Sequence, residues 1–297
     1  MKRINGLSIA LLTPFNSEGN INMDFLKKHI DLLIEAGTES IFIMGTTGEV
    51  MLLSIEERKM LTEKILKYVN GRVDVFVQTT GFSTELSCEL SNYAEQAGAS
   101  GIGVLSPLYY GYEQKEIINY YKTIANAVSD DFPVYLYNIP QCTTIDILPE
   151  TVVELSKVKN IIGIKNSMND LDRVVELVNK TSKDFDVLLG EDKLILPALL
   201  SGVKGFVSGT ANAFPEIFIK IFNSFNENKV LECNNYQKDI RNIVNYFDEI
   251  PSFAFLKKAL YFRGLDKVYV RKPFRELDQR EKKVVKELMD DYMRSYS

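Results

Sequence analysis

The sequence predicts an α/β chain folded as a closed (β/α)₈ barrel of TIM type with a C-terminal helical appendage, and three observations carry that prediction. Short β-branched and aliphatic runs alternate with longer amphipathic stretches, the pattern of a parallel sheet with crossover helices. The alternation recurs eight times between Leu7 and Phe225, close to the chain length such a barrel needs. After the first run stands Thr13-Pro14-Phe15 and no Gly-x-Gly-x-x-Gly turn, which argues against a doubly wound open sheet of five or six strands.

In order, the first unit is strand Leu7–Leu12 with helix Asp24–Ala36. Strand Ser40–Met44 then precedes helix Ser54–Val69, and strand Val73–Gln78 precedes helix Thr84–Ala97. The fourth and fifth units are Gly101–Leu105 with Glu113–Val128 and Pro133–Tyr137 with Pro149–Lys157. Strand Ile161–Lys165 leads to helix Asp170–Lys180, Asp186–Leu189 to Lys193–Leu200, and Gly205–Val207 to Phe214–Phe225. Ser54 with Glu57 three residues on has capping-box spacing, and Asp24 and Ser83 are candidate N-caps. Gly37, Gly71 and Gly98 fall where helices should stop. From about Glu227 onward the pattern is helical throughout. The expected organisation is therefore a catalytic barrel over residues 1–226 and a helical region over 227–297 packed on it, with no linker between.

Composition narrows the function classes. A net charge of −5 without an Arg/Lys-rich block makes nucleic acid an unexpected partner. Leu7–Leu12 is too short for a signal peptide or a membrane span, so the expectation is a cytoplasmic protein. Cys88, Cys142 and Cys233 are few and far apart, which suits a reducing compartment. His29 is the only histidine and has no His-x-x-x-His or Cys-x-x-Cys partner, so neither a zinc site nor a Ser-His-Asp hydrolase is expected. It reads as a helix-surface or packing residue.

In a barrel of this kind the chemistry sits at the C-terminal ends of the strands. The sixth strand, Ile161-Ile162-Gly163-Ile164, is apolar and closes on Lys165. Burial there disfavours the ammonium form, and a neutral amine can attack a ketone. The resulting iminium is an electron sink for a carbanion on the adjacent carbon. The alternative is a lysine that ends a strand and reaches solvent. Gly45-Thr46-Thr47-Gly48-Glu49 closes the second strand; its glycines, hydroxyls and successive amides suit a carboxylate, although a plain strand-to-helix turn would look similar. Tyrosines follow the fourth and fifth strands: Tyr109 and Tyr110 after Ser106-Pro107-Leu108, and Tyr135 and Tyr137 in Tyr-Leu-Tyr-Asn-Ile-Pro. A phenol bonded to a threonine hydroxyl can carry protons where no histidine is present. Packing or interface roles stay open for Tyr110, Tyr112 and Tyr135.

Taken in order, Gly-Thr-Thr-Gly-Glu, Pro-Leu-Tyr-Tyr, Tyr-Asn-Ile-Pro, Gly-Ile-Lys and Gly-Thr-Ala-Asn resemble the dihydrodipicolinate synthase/N-acetylneuraminate lyase family of pyruvate-dependent class I aldolases, from the first strand to about Asn212. The resemblance implies that Lys165 is the Schiff-base lysine and Tyr137 the proton-shuttling tyrosine. Thr46 would relay protons, and Thr47, beside Gly48, would bind the carboxylate. Tyr109 matches a tyrosine lent across a subunit interface, which implies a homotetramer built as a dimer of dimers. The implied partners are pyruvate or another 2-oxo acid and an aldehyde, with no metal and no organic cofactor.

The second substrate is where this sequence departs from its relatives. Cys142 stands where the synthase places the arginine that holds the carboxylate of aspartate semialdehyde; a charge-assisted bidentate pair is thereby lost. Lys193 replaces the glutamate that follows the aspartate of sialic acid lyases, and Gly209 replaces their serine. Tyr-Asn-Ile-Pro-Gln-x-Thr is most similar to 2-keto-3-deoxygluconate aldolases. Gln141, Thr143, Ser167, Asp192, Val207 and Ser208 are the expected wall of a neutral pocket that hydrogen-bonds a polyol. Asn166 departs from the acidic residue or glutamine expected after the lysine. The leading expectation is reversible cleavage of a 2-keto-3-deoxy sugar acid to pyruvate and an aldehyde. Synthase or sialic acid lyase activity, a hydratase-aldolase, and an oxo-acid-binding regulatory barrel are the alternatives.

Overall fold

Residues that recur every second position decide which side chains enter the barrel. In the computed structural model, which describes residues 1–296, the strands are β1 (Gly6–Ala10), β2 (Ser40–Ile43), β3 (Asp74–Gln78), β4 (Gly101–Leu105), β5 (Val134–Asn138), β6 (Ile161–Asn166), β7 (Asp186–Leu189) and β8 (Gly205–Ser208). They are parallel and pair in sequence order, and β8 closes on β1. Ala10, Phe42, Phe76, Tyr135, Tyr137, Ile162, Leu188 and Val207 pack together inside. Their neighbours Ile9, Ile41, Ile43, Val75, Val77, Leu136, Ile164 and Val187 face the helices, as a period of two requires. Ile164 faces out, and Lys165 therefore faces in.

The barrel helices are α1 (Met23–Ala36), α2 (Ile55–Val69), α3 (Thr84–Gln96), α4 (Gln114–Asn126), α5 (Pro140–Thr143), α6 (Pro149–Leu155), α7 (Leu171–Lys180), α8 (Ile195–Leu200) and α9 (Pro215–Asn226). Ser54 and Glu57 form the expected capping box, and Ser83 caps α3. The first helix differs from expectation. Asn22, not Asp24, is its cap, accepting from the Phe25 amide at 3.0 Å, while Asp24 sits in the first turn, where a negative charge suits the helix dipole. The amino end of the barrel is plugged by polar groups: Tyr135 donates to Asp186 at 2.8 Å, Ile4 N donates to Tyr135 at 3.0 Å, and Arg3 pairs with Asp186 at 2.8 Å. Tyr135 is thus a packing residue.

After α9 the chain forms α10 (Val230–Asn245), α11 (Ser252–Phe262) and α12 (Gln279–Tyr296). The expectation of continuous helix fails between α11 and α12. Residues 263–278 run as a non-helical strap that begins at Gly264 (φ +93°) and contains Pro273, two residues that stop helices. The strap lies over the carboxyl ends of the strands, where Tyr269 N donates to the Phe15 carbonyl at 2.9 Å. Among the described residues no helix is long and apolar enough to cross a membrane.

His29 is fully buried on α1, with Nε2 3.1 Å from the Asn212 carbonyl oxygen. Burial pushes its pKa down to about 4 from 6.5. Because the folded value lies below the unfolded one, its contribution is complete above pH 6.5 and is lost as the pH falls towards 4. The expected loss at pH 4 is about 3 kcal/mol. Urea unfolding of wild type and His29→Phe at pH 7 and pH 4.5 should show a smaller acid loss in the variant. Equal losses would contradict the assignment.

Candidate active site

The inward lysine comes to rest against two aromatic rings. Lys165 is buried at the end of β6, its Nζ 4.0 Å from the centre of the Tyr137 ring and 5.3 Å from that of Phe42. Phe42 and Tyr137 meet edge to face at 6.0 Å. Lys165 pairs in register with Tyr137 on β5, so their juxtaposition follows from strand pairing alone. No carboxylate pairs with the amine among the described residues. The Tyr137 hydroxyl lies 3.2 Å from Thr46 Oγ1. Lysine, phenol and threonine, brought from β6, β5 and the turn after β2, thus meet at one end of the barrel.

The Thr46 turn is built by its own backbone. Gly48 N donates to the Gly45 carbonyl and Glu49 N to the Thr46 carbonyl, each at 3.0 Å. Thr13 Oγ1 donates to the Gly48 carbonyl at 2.7 Å, which accounts for a threonine after the first strand. Glu49 adopts φ +54°, a left-handed conformation uncommon outside glycine. Two glycines elsewhere keep the site open. A Cβ on Gly190 would lie 2.0 Å from Ser167 Oγ and 2.9 Å from Lys165 Cε, and one on Gly209 would lie 2.5 Å from Thr47 Oγ1. With the present Thr47 rotamer there is consequently no room for a serine at position 209.

Asp192 follows β7 and accepts from Ser208 Oγ at 2.9 Å, with Thr210 as a second partner. Burial raises its pKa to about 6, against those hydrogen bonds and the attraction of Lys165. Its backbone is held by Gln237 of α10, whose Nε2 donates to the Asp192 carbonyl at 3.0 Å. A cavity of about 190 Å³ joins Asp192 to Thr47, Gly190, Gly209 and Thr210. Val207 lies inward and buried beside Ser208. A second, larger cavity of about 640 Å³ opens beside Thr46 and is mostly apolar, lined by Val50, Leu105, Leu108, Cys142, Thr143 and Phe253, among others.

Other expected site residues take up contacts of their own. Gln141 Nε2 donates to the Ser167 carbonyl at 2.8 Å, and the Thr143 hydroxyl faces the carbonyls of Ile139 and Ile145 at 3.3 and 3.1 Å. Both fasten the short α5 turn and the β6 loop. Lys193 points away from Asp192 towards Asp248, at 3.4 Å. Tyr109 stands 82% exposed at φ +77° with its ring against Tyr110, and no hydrogen bond links it to Thr46 or Tyr137 among the described residues. Asn166 faces the helices, its Oδ1 accepting from Asn138 Nδ2 at 3.0 Å. The same Asn138 amide donates to Asp146, which Arg173 holds at 2.9 Å.

Sequence reasoning missed the contribution of the C-terminal region. Glu49 and Lys257 form a buried pair beneath the threonine turn, joined by the backbone amide of the half-buried Arg271, and Asn212 ties the end of β8 to β1 through Leu12 N and the Ala10 carbonyl. Glu49 and Asn212 carried a local signal, as the last residues of Gly-Thr-Thr-Gly-Glu and Gly-Thr-Ala-Asn, whereas Lys257 and Arg271 carried none.

Comparison with known proteins agrees with this architecture over the whole chain. The model of the dihydrodipicolinate synthetase family matches residues 3–291. The chain is 34% identical over 279 residues to 4-hydroxy-tetrahydrodipicolinate synthase of Bacillus velezensis, covering 94% of this chain and 96% of that one. It is 39% identical over 212 residues to the enzyme of the same name from Pseudomonas aeruginosa, covering 71% and 72%. Among solved structures it superposes with a TM-score of 0.93 on YagE, a prophage protein of the dihydrodipicolinic acid synthase family from E. coli K12 in complex with pyruvate, at 29% identity and 97% and 98% coverage. Dihydrodipicolinate synthase DapA-2 of Bacillus anthracis gives the same TM-score at 30% identity, covering 98% and 99%. With fold, motif order and whole-chain similarity in agreement, this chain belongs to the dihydrodipicolinate synthetase family.

Proposed function

We propose that the protein is a class I aldolase that forms a Schiff base between Lys165 and pyruvate and cleaves or forms a carbon–carbon bond beside it. The observation that carries this reading is the buried Lys165 amine set against Tyr137, whose hydroxyl is within hydrogen-bond reach of Thr46. The neutral amine adds to C2 of the oxo acid, the carbinolamine loses water, and the iminium withdraws electrons from C3. Tyr137 and Thr46 pass the protons that these steps take up and release. The amides of Thr46 and Thr47 with the Thr47 hydroxyl are the expected carboxylate anchor. The pyruvate complex of YagE supports the choice of oxo acid. Tyr109, exposed and in contact with Tyr110, is the residue expected to be lent to a second copy in a homotetramer.

For the second substrate the proposal is a 2-keto-3-deoxy sugar acid, supported by the polar wall that Thr47, Glu191, Asp192 and Thr210 form in the smaller cavity, facing the apolar Val244, Phe247 and Leu256, with Ser208 bonded to Asp192. The names of the curated relatives favour a second reading, synthase activity on aspartate semialdehyde. That reading needs a cation for the carboxylate, and among the described residues Arg275 is the one lysine or arginine lining either cavity. Cys142 lines the large cavity, and Arg275 on the same wall is bound bidentately to Glu281 at 2.7 and 2.8 Å.

Pyruvate release from a panel of 2-keto-3-deoxy sugar acids tests the substrate, and Asp192→Asn tests the polar cavity. The expected result is release by wild type and a loss of about tenfold or more in kcat/KM in the variant, with pyruvate alone still captured on Lys165. A preference for aspartate semialdehyde over glyceraldehyde in the condensation direction would overturn the assignment.

A further inference from the structure

The least expected feature near the site is a charge pair that no solvent reaches. The side chain of Glu49 is wholly buried and that of Lys257 is 2% exposed, and the two are hydrogen-bonded across 208 residues of sequence. The second carboxylate oxygen of Glu49 accepts from Arg271 N at 2.9 Å, and Lys257 Nζ also donates to the Tyr269 carbonyl at 2.8 Å. Phe15 lies between two cations, 4.6 Å from Lys257 Nζ and 4.3 Å from the Arg271 guanidinium. Arg271 in turn donates to Gly19 and Leu52 carbonyls and to Glu57. The strap and α11 are thereby fastened to the residue that closes the threonine turn.

Stability does not account for this arrangement. A buried ion pair adds little over apolar residues of the same volume, whereas its hydrogen bonds have direction. That direction bears on Thr46, because the backbone amide of Glu49 donates to the Thr46 carbonyl. Glu49 holds this bond at φ +54°, a conformation it would leave without an anchor.

We propose that Glu49 and Lys257 are positioning residues: their buried pair holds the 45–49 turn so that the Thr46 hydroxyl faces Tyr137, and it sets the rate of proton transfer more than the affinity for the oxo acid. The proposal rests on the Schiff-base reading above. Glu49 borders the large cavity, but both its carboxylate oxygens are taken up by Lys257 and the Arg271 amide, so the effect passes through the Thr46 backbone.

Exchange of the pyruvate methyl protons in D₂O tests it without knowledge of the aldehyde. The iminium loses a C3 proton to give the enamine, which returns a deuteron, and NMR yields kcat and KM for that cycle. In Glu49→Gln/Lys257→Met neither charge remains, so no buried ion is left unpaired and the wild-type melting temperature should be nearly kept. The expected result is an exchange kcat lower by about tenfold or more with KM within about threefold. Asp266→Asn, which breaks an exposed strap contact with Lys28, should change neither.

Glu49→Gln alone is the second variant, should the double one not fold. It keeps the shape of the side chain, and Lys257, whose burial already lowers its pKa to about 8, can shed its proton; the same split is expected. A folded variant with wild-type exchange kcat overturns the positioning role and leaves the Schiff-base reading intact. A wild-type protein that neither exchanges methyl protons nor is trapped by borohydride overturns both.

Discussion

Lys165→Met lowers turnover by roughly four orders of magnitude or more while leaving the fold in place. Methionine keeps the length of the lysine stem and packs against the same Tyr137 and Phe42 rings, so the melting temperature should stay near that of wild type. A loss of this size is expected because the proposed covalent route is removed, not weakened: without the amine no iminium forms. Steady-state pyruvate release checks this. Residual turnover within about a hundredfold of wild type would mean that the reaction does not run through this nitrogen.

Tyr137→Phe should cost about two to four orders of magnitude in kcat. The ring that faces Lys165 Nζ is retained, and only the hydroxyl at 3.2 Å from Thr46 is removed. With phenol and threonine acting as the proposed single relay, adding Thr46→Val to Tyr137→Phe should cause little further loss, far less than the product of the single effects. Multiplicative losses would indicate two independent proton paths. Thr47 is the contrast. It faces the Gly209 side of the site, and its truncation should act mainly on KM for the oxo acid.

Much of this was legible in the sequence because burial on both faces leaves a strong imprint. Each strand is a run of apolar residues that end at a turn, and Lys165 was conspicuous as the one charge at the end of such a run. The Ser54–Glu57 capping box was readable because its partners lie within four residues. Long-range and competing interactions were not readable. Gln141 and Thr143 have the right chemistry for a polyol, yet their hydrogen bonds go to nearby carbonyls, and spacing cannot say which acceptor wins. Residues 263–278 have enough charged and apolar residues to pass for helix, and the strap is pinned by Phe15, Gly19 and Glu49, more than 200 residues earlier. The Glu49–Lys257 pair was not readable for the same reason: Glu49 closes a motif, but nothing local joins it to a lysine 208 residues away.

Borohydride reduction in the presence of pyruvate, followed by peptide mass mapping, tests the proposed Schiff base most directly. A single reduced pyruvyl adduct is expected, located on Lys165 and absent from the Lys165→Met variant. No adduct, or one on Lys257, which is also buried, would overturn the role of Lys165.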